Sequence, residues 1–328
     1  WKTSQGPLEY SEIFRGEVYD ARKELEGWLE PGYDDSSWTR PMELPYRADQ
    51  YGGKLVAQVD PPVRVVEEIK PVSVTKTDRG TYIYDMGQNM VGNVRLKVQG
   101  GERGREVVLD HAEMLDEDGS LYKKNLRTAV PVDTYILKGS GTEIYEPTYT
   151  FHGFRFVELK GYPGEPDLDT ITGRVIHTDA PVSGKLTTSD ARLNKLISNI
   201  YWGQRGNFIS VPTDCPQRDE RLGWTGDAMV FSRTACFNMD VATFFKKYTI
   251  DMIDAQLDTG SFPDVAPNCG YHARKVGKRK GTEWIRPYTA GWADAGVIIP
   301  WTLYEVYGDK EILEQSYDAL VSYMGFLI

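Results

Sequence analysis

Residues 189–201 read Ser-Asp-Ala-Arg-Leu-Asn-Lys-Leu-Ile-Ser-Asn-Ile-Tyr, and at this stretch the chain changes from a β pattern to a helical one. The apolar residues recur three and four positions apart, which is the spacing of one face of an α-helix. Ser189 or Asp190 can cap the first turn, because both side chains accept hydrogen bonds from backbone N–H groups. We therefore predict a helix here. The residues at the helical spacing are Leu193, Leu196, Ile197, Ile200 and Tyr201.

The part before this stretch is typical of β structure. Short segments rich in branched and aromatic residues are separated by Gly, Asp and Asn at hairpin-like intervals. Apolar residues alternate with Arg95 and Lys97, which is the pattern of a half-buried strand. Regular short strands with frequent glycine favour antiparallel β-sandwiches. The segments predicted to be strands are 63–66, 81–84, 94–98, 107–109 and 155–159.

The part after this stretch is predicted to be an all-α domain of antiparallel helices joined by loops. The apolar spacing returns several times, each time between loop-forming segments. Gly308 and Asp309 separate the last two helices, since glycine commonly ends a helix and aspartate caps the start of the next. The helices predicted beyond the first one cover 226–237, 241–257, 293–307 and 309–327.

The length of 328 residues exceeds that of a typical single domain. The patterns predict the end of an N-terminal β-sandwich domain at 1–60, a β-sandwich domain at 61–180 and a helical domain at 181–328. The chain begins at Trp1 without a methionine and stops at Ile328 within an apolar helical pattern. We therefore expect it to be an internal part of a longer protein.

Charge and composition restrict the partners that we expect. Lys and Arg number 38 against 48 Asp and Glu, so the net charge is −10. This charge disfavours nucleic acid and acidic membranes as partners, and no run of 18 apolar residues predicts a membrane-spanning helix. The 3 Cys give no disulfide framework, and the 4 His lie far apart in the sequence, so no metal site is predicted. Compartment and oligomeric state stay open.

Residues 212–227 read Pro-Thr-Asp-Cys-Pro-Gln-Arg-Asp-Glu-Arg-Leu-Gly-Trp-Thr-Gly-Asp and are the part of the chain densest in reactive side chains. Proline and glycine prevent a single helix or strand, and interleaved charges perturb one another's pKa values. A pyranose can stack its apolar face on an indole while its hydroxyls donate to carboxylates. We therefore predict a carbohydrate site. Its charged and aromatic members are Asp214, Arg218, Asp219, Glu220, Arg221, Trp224 and Asp227.

Glu220 is the strongest candidate for a proton donor. The neighbouring acids are expected to raise its pKa by like-charge repulsion, and a general acid must hold its proton at neutral pH. The local sequence alone does not choose among the four acids. The alternative is that they pair with the two arginines and cap the following helix, since Asp227 falls in its first turn.

Later stretches hold weaker candidates. Asp264, in a loop bounded by prolines, could bind sugar or shape a turn. Asp294 is either a helix cap or a ligand of sugar hydroxyls, and Trp284 and Trp292 bring aromatic rings near it. The segment 110–113 is interpreted as charged and exposed. No catalytic part is expected for Cys215, His177 and His272.

The stretch 214–227 resembles the signature of bacterial α-L-rhamnosidases, glycoside hydrolase family 78. The string is long and of unusual composition, so chance is a poor explanation. The resemblance covers essentially the whole chain, from the end of the family's N-terminal β-domain into its helical domain. The other segments that carry it are 16–22, 31–38, 84–92, 111–115, 177–181, 263–267 and 292–297.

This resemblance implies a fold, a reaction and a set of residues. The fold is a series of β-sandwiches followed by an (α/α)6 barrel, of which this chain would hold the first part. The reaction is hydrolysis of terminal α-L-rhamnose from a glycoside or polysaccharide with inversion, without cofactor or metal. Glu220 aligns with the general acid, and the general base is a glutamate late in the barrel with no counterpart here. The residues that match rhamnose contacts are Asp214, Arg218, Trp224, Asp227, Trp284, Trp292 and Asp294.

Two other function classes stay open at this level. Another exo-glycosidase or a phosphorylase could use the same barrel, but a phosphorylase needs a basic phosphate pocket, and the basic cluster 275–280 is interpreted as a solvated loop. The chain could instead be a carbohydrate-binding fragment without catalysis. The complete acidic stretch argues against this for the longer protein.

Overall fold

The computed structural model describes residues 1–42, 56–269 and 289–328, together with the backbone of 276–279 and 282–284. Within it the chain divides into two compact units. A β-rich unit contains residues 1–58, 68–89 and 93–174. A mainly helical unit contains residues 59–67, 90–92 and 175–328.

The β part is built mainly around one mixed sheet. Its strands, and the short pair β7 and β8, are β1 (Leu8–Glu12), β2 (Gly16–Asp20), β3 (Val63–Ile69), β4 (Ser73–Lys76), β5 (Tyr82–Gln99), β6 (Glu106–Ala112), β7 (Met114–Leu115), β8 (Leu121–Tyr122), β9 (Val132–Ile136), β10 (Thr142–Tyr145), β11 (His152–Lys160) and β12 (Ile171–Thr178). Within the described residues the sheet order is β1-β2-β9-β6-β11-β5-β12-β3, and β4 and β10 also pair with β5.

The alternation predicted for a half-buried strand is confirmed in β5. Val94, Leu96 and Val98 have 0% exposure, and burial of each such side chain contributes roughly 1.5–3 kcal/mol. On the other face, Arg95 forms ion pairs with Glu68 and Glu146. This strand therefore anchors the β-rich unit through its apolar face.

Strand β5 is also longer than predicted. The segments 81–84 and 94–98 were expected as separate strands, but they belong to one strand of 18 residues. Met86 and Met90 between them are 1% exposed. Their burial holds the intervening residues in the sheet, which the glycine-containing sequence Asp-Met-Gly-Gln-Asn does not suggest.

Two further expectations about the β part are wrong. The sheet is not wholly antiparallel, because β2 and β9 run parallel, with Val18 opposite Thr134. These strands are distant in sequence, so no hairpin fixes their relative direction. The segment 110–113 is not exposed: Asp110 is 5% and His111 0% exposed.

The ion pairs of Asp110 explain why this segment is buried although it is charged. The Asp110 carboxylate forms ion pairs with Lys123 and, at 3.0 Å, with Lys160. Both cations come from other parts of the chain, and they make burial of the carboxylate tolerable. The local sequence shows the acid but not its partners.

The helices follow the predicted positions closely. Asp190 caps the first helix by accepting a hydrogen bond from the Arg192 N–H at 2.8 Å. Asp309 caps the last one by accepting from the Ile312 N–H at 3.1 Å. The elements of this part are α1 (Ala191–Asn207), β13 (Phe208–Ile209), β14 (Val211–Pro212), α2 (Thr225–Asn238), α3 (Ala242–Asp254), β15 (Val276–Arg279), β16 (Thr282–Trp284), α4 (Ala290–Ala293), α5 (Ala295–Tyr307) and α6 (Lys310–Leu327).

Three details of the helical part differ from prediction. The helix predicted over 293–307 begins at Ala295, and the short helix α4 precedes it. Helix α3 ends at Asp254 instead of 257, because Gly260 takes a left-handed φ of 94° and its N–H donates to the Leu257 carbonyl in a turn. The backbone of 276–279, expected in a solvated loop, forms a strand paired with β16. The side chains of the basic cluster 275–280 lie outside the described residues.

The core of the helical unit lies around α5, which packs against α2, α3 and α6. Phe208 stacks on Phe244 with ring centroids 4.4 Å apart. Tyr248 and Ile299 have no exposed surface. This packing fixes the start of α2, the helix that follows the acidic stretch. None of the helices in the described part of the chain is long and apolar enough to cross a membrane.

Candidate active site

The acidic loop, residues 213–224, joins β14 to α2 and is closed by contacts between its two ends. The Asp214 N–H donates to the Leu222 carbonyl at 3.0 Å. In return, Oδ1 of Asp214 accepts from the Leu222 N–H at 2.9 Å. The Asp214 side chain is 6% exposed. Oδ1 of Asp214 therefore holds the loop closed, and Oδ2 remains available to the other charged side chains of the site.

The end of the acidic loop is held from behind by the helical core. The buried Tyr248 hydroxyl donates to the Gly223 carbonyl at 2.8 Å, and the Ala266 N–H donates to the same oxygen at 2.9 Å. A side chain at position 223 would place its Cβ 2.1 Å from the Ala266 carbonyl oxygen. Only glycine allows this approach, so Gly223 fixes the position of Trp224, the residue that directly precedes α2.

Arg221 braces the middle of the acidic loop. Its φ is 52°, an uncommon value for a residue with a side chain. The side chain is turned inward, and its Nε donates to the Arg218 carbonyl at 3.2 Å and a terminal nitrogen donates to the Gln217 carbonyl at 3.4 Å. A costly backbone conformation persists only where the surroundings enforce it. The loop therefore has a defined shape.

Glu220 lies at the centre of the group of charged side chains. Trp224 donates its indole N–H to Oε1 of Glu220 at 3.1 Å, and Arg218 donates its Nε–H to Oε2 at 3.0 Å. Arg218 also contacts Oδ2 of Asp214 at 3.4 Å. The Glu220 side chain keeps 19% of its surface exposed. Its carboxyl is thus fixed by two donors and still reachable from solvent.

Two neighbouring carboxyls hold protons more readily than usual. Burial raises the pKa of Asp214, and the negative charge of Glu220 adds to the rise. The pKa of the Asp227 carboxyl is also raised, first by loss of surrounding water and then by the charge of Glu220. Burial and the neighbouring Asp214 raise the pKa of the Cys215 thiol to about 12. The thiol therefore stays protonated and is no nucleophile at neutral pH.

Two tryptophans lie next to each other at this site. The rings of Trp224 and Trp292 are 6.4 Å apart between centroids and nearly perpendicular, at 69°. A Cβ at Gly226 would come within 3.0 Å of the Trp292 ring, so α2 and α4 approach closely here. The indole nitrogen of Trp292 is buried without a hydrogen-bond partner among the described residues. Aromatic faces beside carboxylates suit a sugar ring.

Asp264 and Asp294 have structural contacts. Oδ1 of Asp264 accepts from the Thr289 N–H at 3.3 Å, and the side chain is buried. Asp294 makes no capping hydrogen bond to α5. Its Oδ1 instead accepts from the Tyr323 hydroxyl at 2.7 Å. Both acids thereby join separate segments of the helical unit.

A cavity of about 280 Å³ adjoins the acidic loop. Asp214 and Asp227 lie on its wall, whereas Glu220 and Trp224 do not. The remainder of the wall is largely apolar. Its other residues come from α1, β13, β14, the start of the acidic loop and α2: Ile200, Gly203, Gln204, Asn207, Phe208, Pro212, Thr213, Ala228 and Phe231.

The structure thus brings together most of the residues singled out from the sequence. Asp214, Arg218, Glu220 and Trp224 form one contact network, and Trp292 touches Trp224. Asp227 interacts with Glu220 by charge. The side chains of Trp284 and His272 lie outside the described residues.

Two tyrosines that no sequence pattern singled out, Tyr248 and Tyr323, support the site. Each is buried in the apolar core and aims its hydroxyl at the site region, toward Gly223 and Asp294 respectively. The available signal was weak: a tyrosine on an apolar helix face needs an acceptor for its hydroxyl when buried. The sequence does not say which acceptor.

The acidic loop also groups potential metal ligands. Donor atoms of Asp214, Cys215 and Glu220 lie within 4.8 Å of one another. The guanidinium of Arg218 already contacts both carboxylates. Its positive charge would repel a metal cation, and the thiol holds its proton. The arrangement therefore fits an organic substrate better than a metal.

A comparison with known proteins identifies the class of domain to which the helical part belongs. Residues 181–328 match the six-hairpin glycosidase domain of bacterial α-L-rhamnosidases. Residues 75–177 match the bacterial α-L-rhamnosidase concanavalin-like domain, and residues 1–67 the α-L-rhamnosidase N-terminal domain. These three matches cover nearly all of the chain in consecutive order. The chain belongs to the bacterial α-L-rhamnosidase family.

Similar proteins agree with this assignment. An α-L-rhamnosidase of Streptomyces avermitilis is 47% identical over 327 residues, which is 100% of this chain and 30% of that protein. One from Alteromonas sp. is 38% identical, over 99% of this chain and 34% of that protein. The chain therefore spans about a third of the length of these relatives.

Solved structures show the same fold. The α-L-rhamnosidase from Dictyoglumus thermophilum superposes with a TM-score of 0.91 at 43% identity, covering 100% of this chain and 35% of that one. The Streptomyces avermitilis enzyme complexed with L-rhamnose gives 0.89 at 46% identity, covering 100% and 30%. A β part followed by helices, as found here, is thus a rhamnosidase architecture.

Proposed function

We propose that the protein to which this chain belongs hydrolyses α-L-rhamnosides, and that this chain supplies the general acid, Glu220. The observation that carries the proposal is the position of the Glu220 carboxyl in a loop of defined shape. This carboxyl accepts hydrogen bonds from Arg218 and Trp224, and Arg218 also contacts the nearby Asp214. Membership of the α-L-rhamnosidase family supports the choice of sugar.

The donors around Glu220 suit a group that gives up its proton during the reaction. In the neutral acid, each oxygen accepts one hydrogen bond, and the proton remains available for the glycosidic oxygen. As the proton leaves, the carboxylate becomes charged, and the bonds from Arg218 and Trp224 strengthen. Stabilisation that grows along the reaction lowers the barrier. The anionic neighbours Asp214 and Asp227 oppose early loss of the proton.

The same neighbours favour the charge that develops on the sugar. The ring becomes oxocarbenium-like as the glycosidic bond breaks, and negative carboxylates near it are stabilising. Trp224 and Trp292 would pack against the apolar side of rhamnose, including its methyl group. The residues proposed to contact rhamnose are Asp214, Arg218, Trp224, Asp227, Trp284, Trp292 and Asp294.

Inversion requires a second carboxyl about 6.5–9.5 Å from the first, with a water between them. We assign this general base to a glutamate of the longer protein, on a later part of an (α/α)6 barrel that begins with the helices described here. The corresponding domains would be β-sandwiches at 1–60 and 61–180 and the barrel from 181 onward.

The first test uses the full-length protein with p-nitrophenyl α-L-rhamnoside in phosphate-free buffer. Glu220→Gln should lower kcat about 100- to 10,000-fold, because the amide cannot donate a proton as an acid does. A substrate with a more acidic leaving group, 2,4-dinitrophenol, should lose much less, since it needs little protonation. Glu314→Gln, at an exposed position of α6, serves as the control and should retain activity.

Wild-type turnover by Glu220→Gln would overturn its role as acid. Turnover that depends on added phosphate would point to a phosphorylase instead. Proton NMR of the first-formed rhamnose tests inversion, and a product with the anomeric configuration of the substrate would contradict it.

A further inference from the structure

A second cluster of reactive side chains lies in the β-rich unit, outside the proposed active site. His111, Asp133 and His152 come from β6, β9 and β11, which are neighbours in the order β9-β6-β11. All three side chains are completely buried. One donor atom from each lies within 4.8 Å of the others.

The contacts of these side chains leave two ring nitrogens unused. Nε2 of His152 is 3.1 Å from Oδ2 of Asp133, and Nδ1 of His111 is 2.9 Å from the Pro131 carbonyl oxygen, to which it donates. Nε2 of His111 and Nδ1 of His152 are buried without a hydrogen-bond partner among the described residues. Buried polar atoms are normally satisfied, and Nδ1 of His111 already donates to Pro131, so the unpartnered Nε2 of His111 is available to bind a ligand at this place.

We propose that His111, Asp133 and His152 bind a divalent transition-metal ion of the zinc type. Two imidazoles and one carboxylate are a donor set that zinc favours, and a water can fill the fourth position. Bond lengths of about 2.0–2.2 Å place tetrahedral ligands roughly 3.3 Å apart. The 3.1 Å separation of Asp133 and His152 already matches such an edge.

The surroundings of the cluster match those of metal ligands. A metal-binding histidine usually donates its second ring N–H to a carbonyl or carboxylate, as His111 does to Pro131. A ligating carboxylate is usually hydrogen-bonded as well, and Oδ1 of Asp133 accepts from the Glu17 N–H at 3.0 Å. A simple ion pair of His152 with Asp133 would leave the Nε2 of His111 unexplained. The site would bind the ion as a structural element of the sheet.

The experiment measures the metal content of the full-length protein after bound metal has been removed with a chelator. The protein is incubated with excess zinc sulfate, desalted and analysed by inductively coupled plasma mass spectrometry. We expect one zinc per chain and a rise of at least about 2 °C in Tm. A chain that retains no zinc and melts at an unchanged temperature overturns the proposal.

His111→Phe should lose the zinc, since it keeps a ring of similar size but removes both nitrogens. Cys269→Ser, which removes an exposed thiol outside the cluster, should keep it. Equal zinc in His111→Phe and wild type overturns the proposal. If His111→Phe does not fold, cobalt substitution of the wild type decides. Tetrahedral d–d bands without thiolate charge transfer support the site, whereas thiolate charge transfer assigns the metal to cysteine and refutes it.

Discussion

At the scale of single residues, Arg218 determines how the proposed active site is charged. It is shared between Asp214 and Glu220 and offers only one positive charge to two acids. Asp227 adds a third carboxyl, whose pKa is raised by burial and by the charge of Glu220. The site therefore carries more potential negative charge than its described cations balance, which favours a protonated acid among its members. Burial first, and charge repulsion in addition, would keep a proton on one of these acids.

Because Asp227 and Glu220 repel each other, we expect Asp227→Asn to change the pH dependence of activity. A general acid works while protonated, so activity is present at low pH and lost as pH rises through the acid's titration. Removing the negative charge of Asp227 makes it easier for Glu220 to lose its proton. The alkaline limb of the kcat/KM profile should therefore move to lower pH. Profiles of the full-length variant and wild type measure the shift, with Asp318→Asn on the exposed face of α6 as control. A limb that moves upward or stays in place would contradict the charge coupling.

At the scale of elements, helix ends follow local rules while strand partners do not. The caps Asp190 and Asp309 and the left-handed Gly308 lie where the sequence predicts them. These signals act within four residues, so no distant contact is needed to read them. The parallel pairing of β2 with β9 involves strands far apart in the chain, and nothing local encodes it.

Loss of the helix cap in Asp309→Ala should destabilise the helical unit by about 1 kcal/mol. The side chain of Asp309 satisfies the Ile312 N–H at the start of α6, and Ile312 itself is fully buried. Urea unfolding followed by circular dichroism measures the loss. Glu314→Ala, on the exposed face of the same helix, should change stability much less. Equal effects of the two substitutions would show that the cap contributes nothing.

At the scale of the whole molecule, the chain spans about a third of its rhamnosidase relatives. The proposed general acid is in this part, and the proposed base is not. An inverting glycosidase needs both carboxyls at a fixed separation. Each part would therefore be catalytically incomplete by itself.

We accordingly expect the isolated 328-residue chain to release no p-nitrophenol from p-nitrophenyl α-L-rhamnoside above the buffer rate. Circular dichroism and a cooperative melting curve of the same sample confirm that it is folded. The full-length protein at equal concentration is the positive control. Robust turnover by the folded chain would place the base within these residues. It would refute the proposal that the acid and the base lie in different parts of the protein.

Local sequence patterns were sufficient to predict the change from strands to helices near residue 190, most of the helix boundaries and the position of the acidic loop before α2. These depend on periodicity and on contacts within a few positions. Long-range contacts set which strands pair, and they bury Asp110 and His111. They also bring Tyr248 to Gly223 and His111 to His152. These contacts join residues far apart in the chain, and their energies come from packing and charge pairing that no local pattern records.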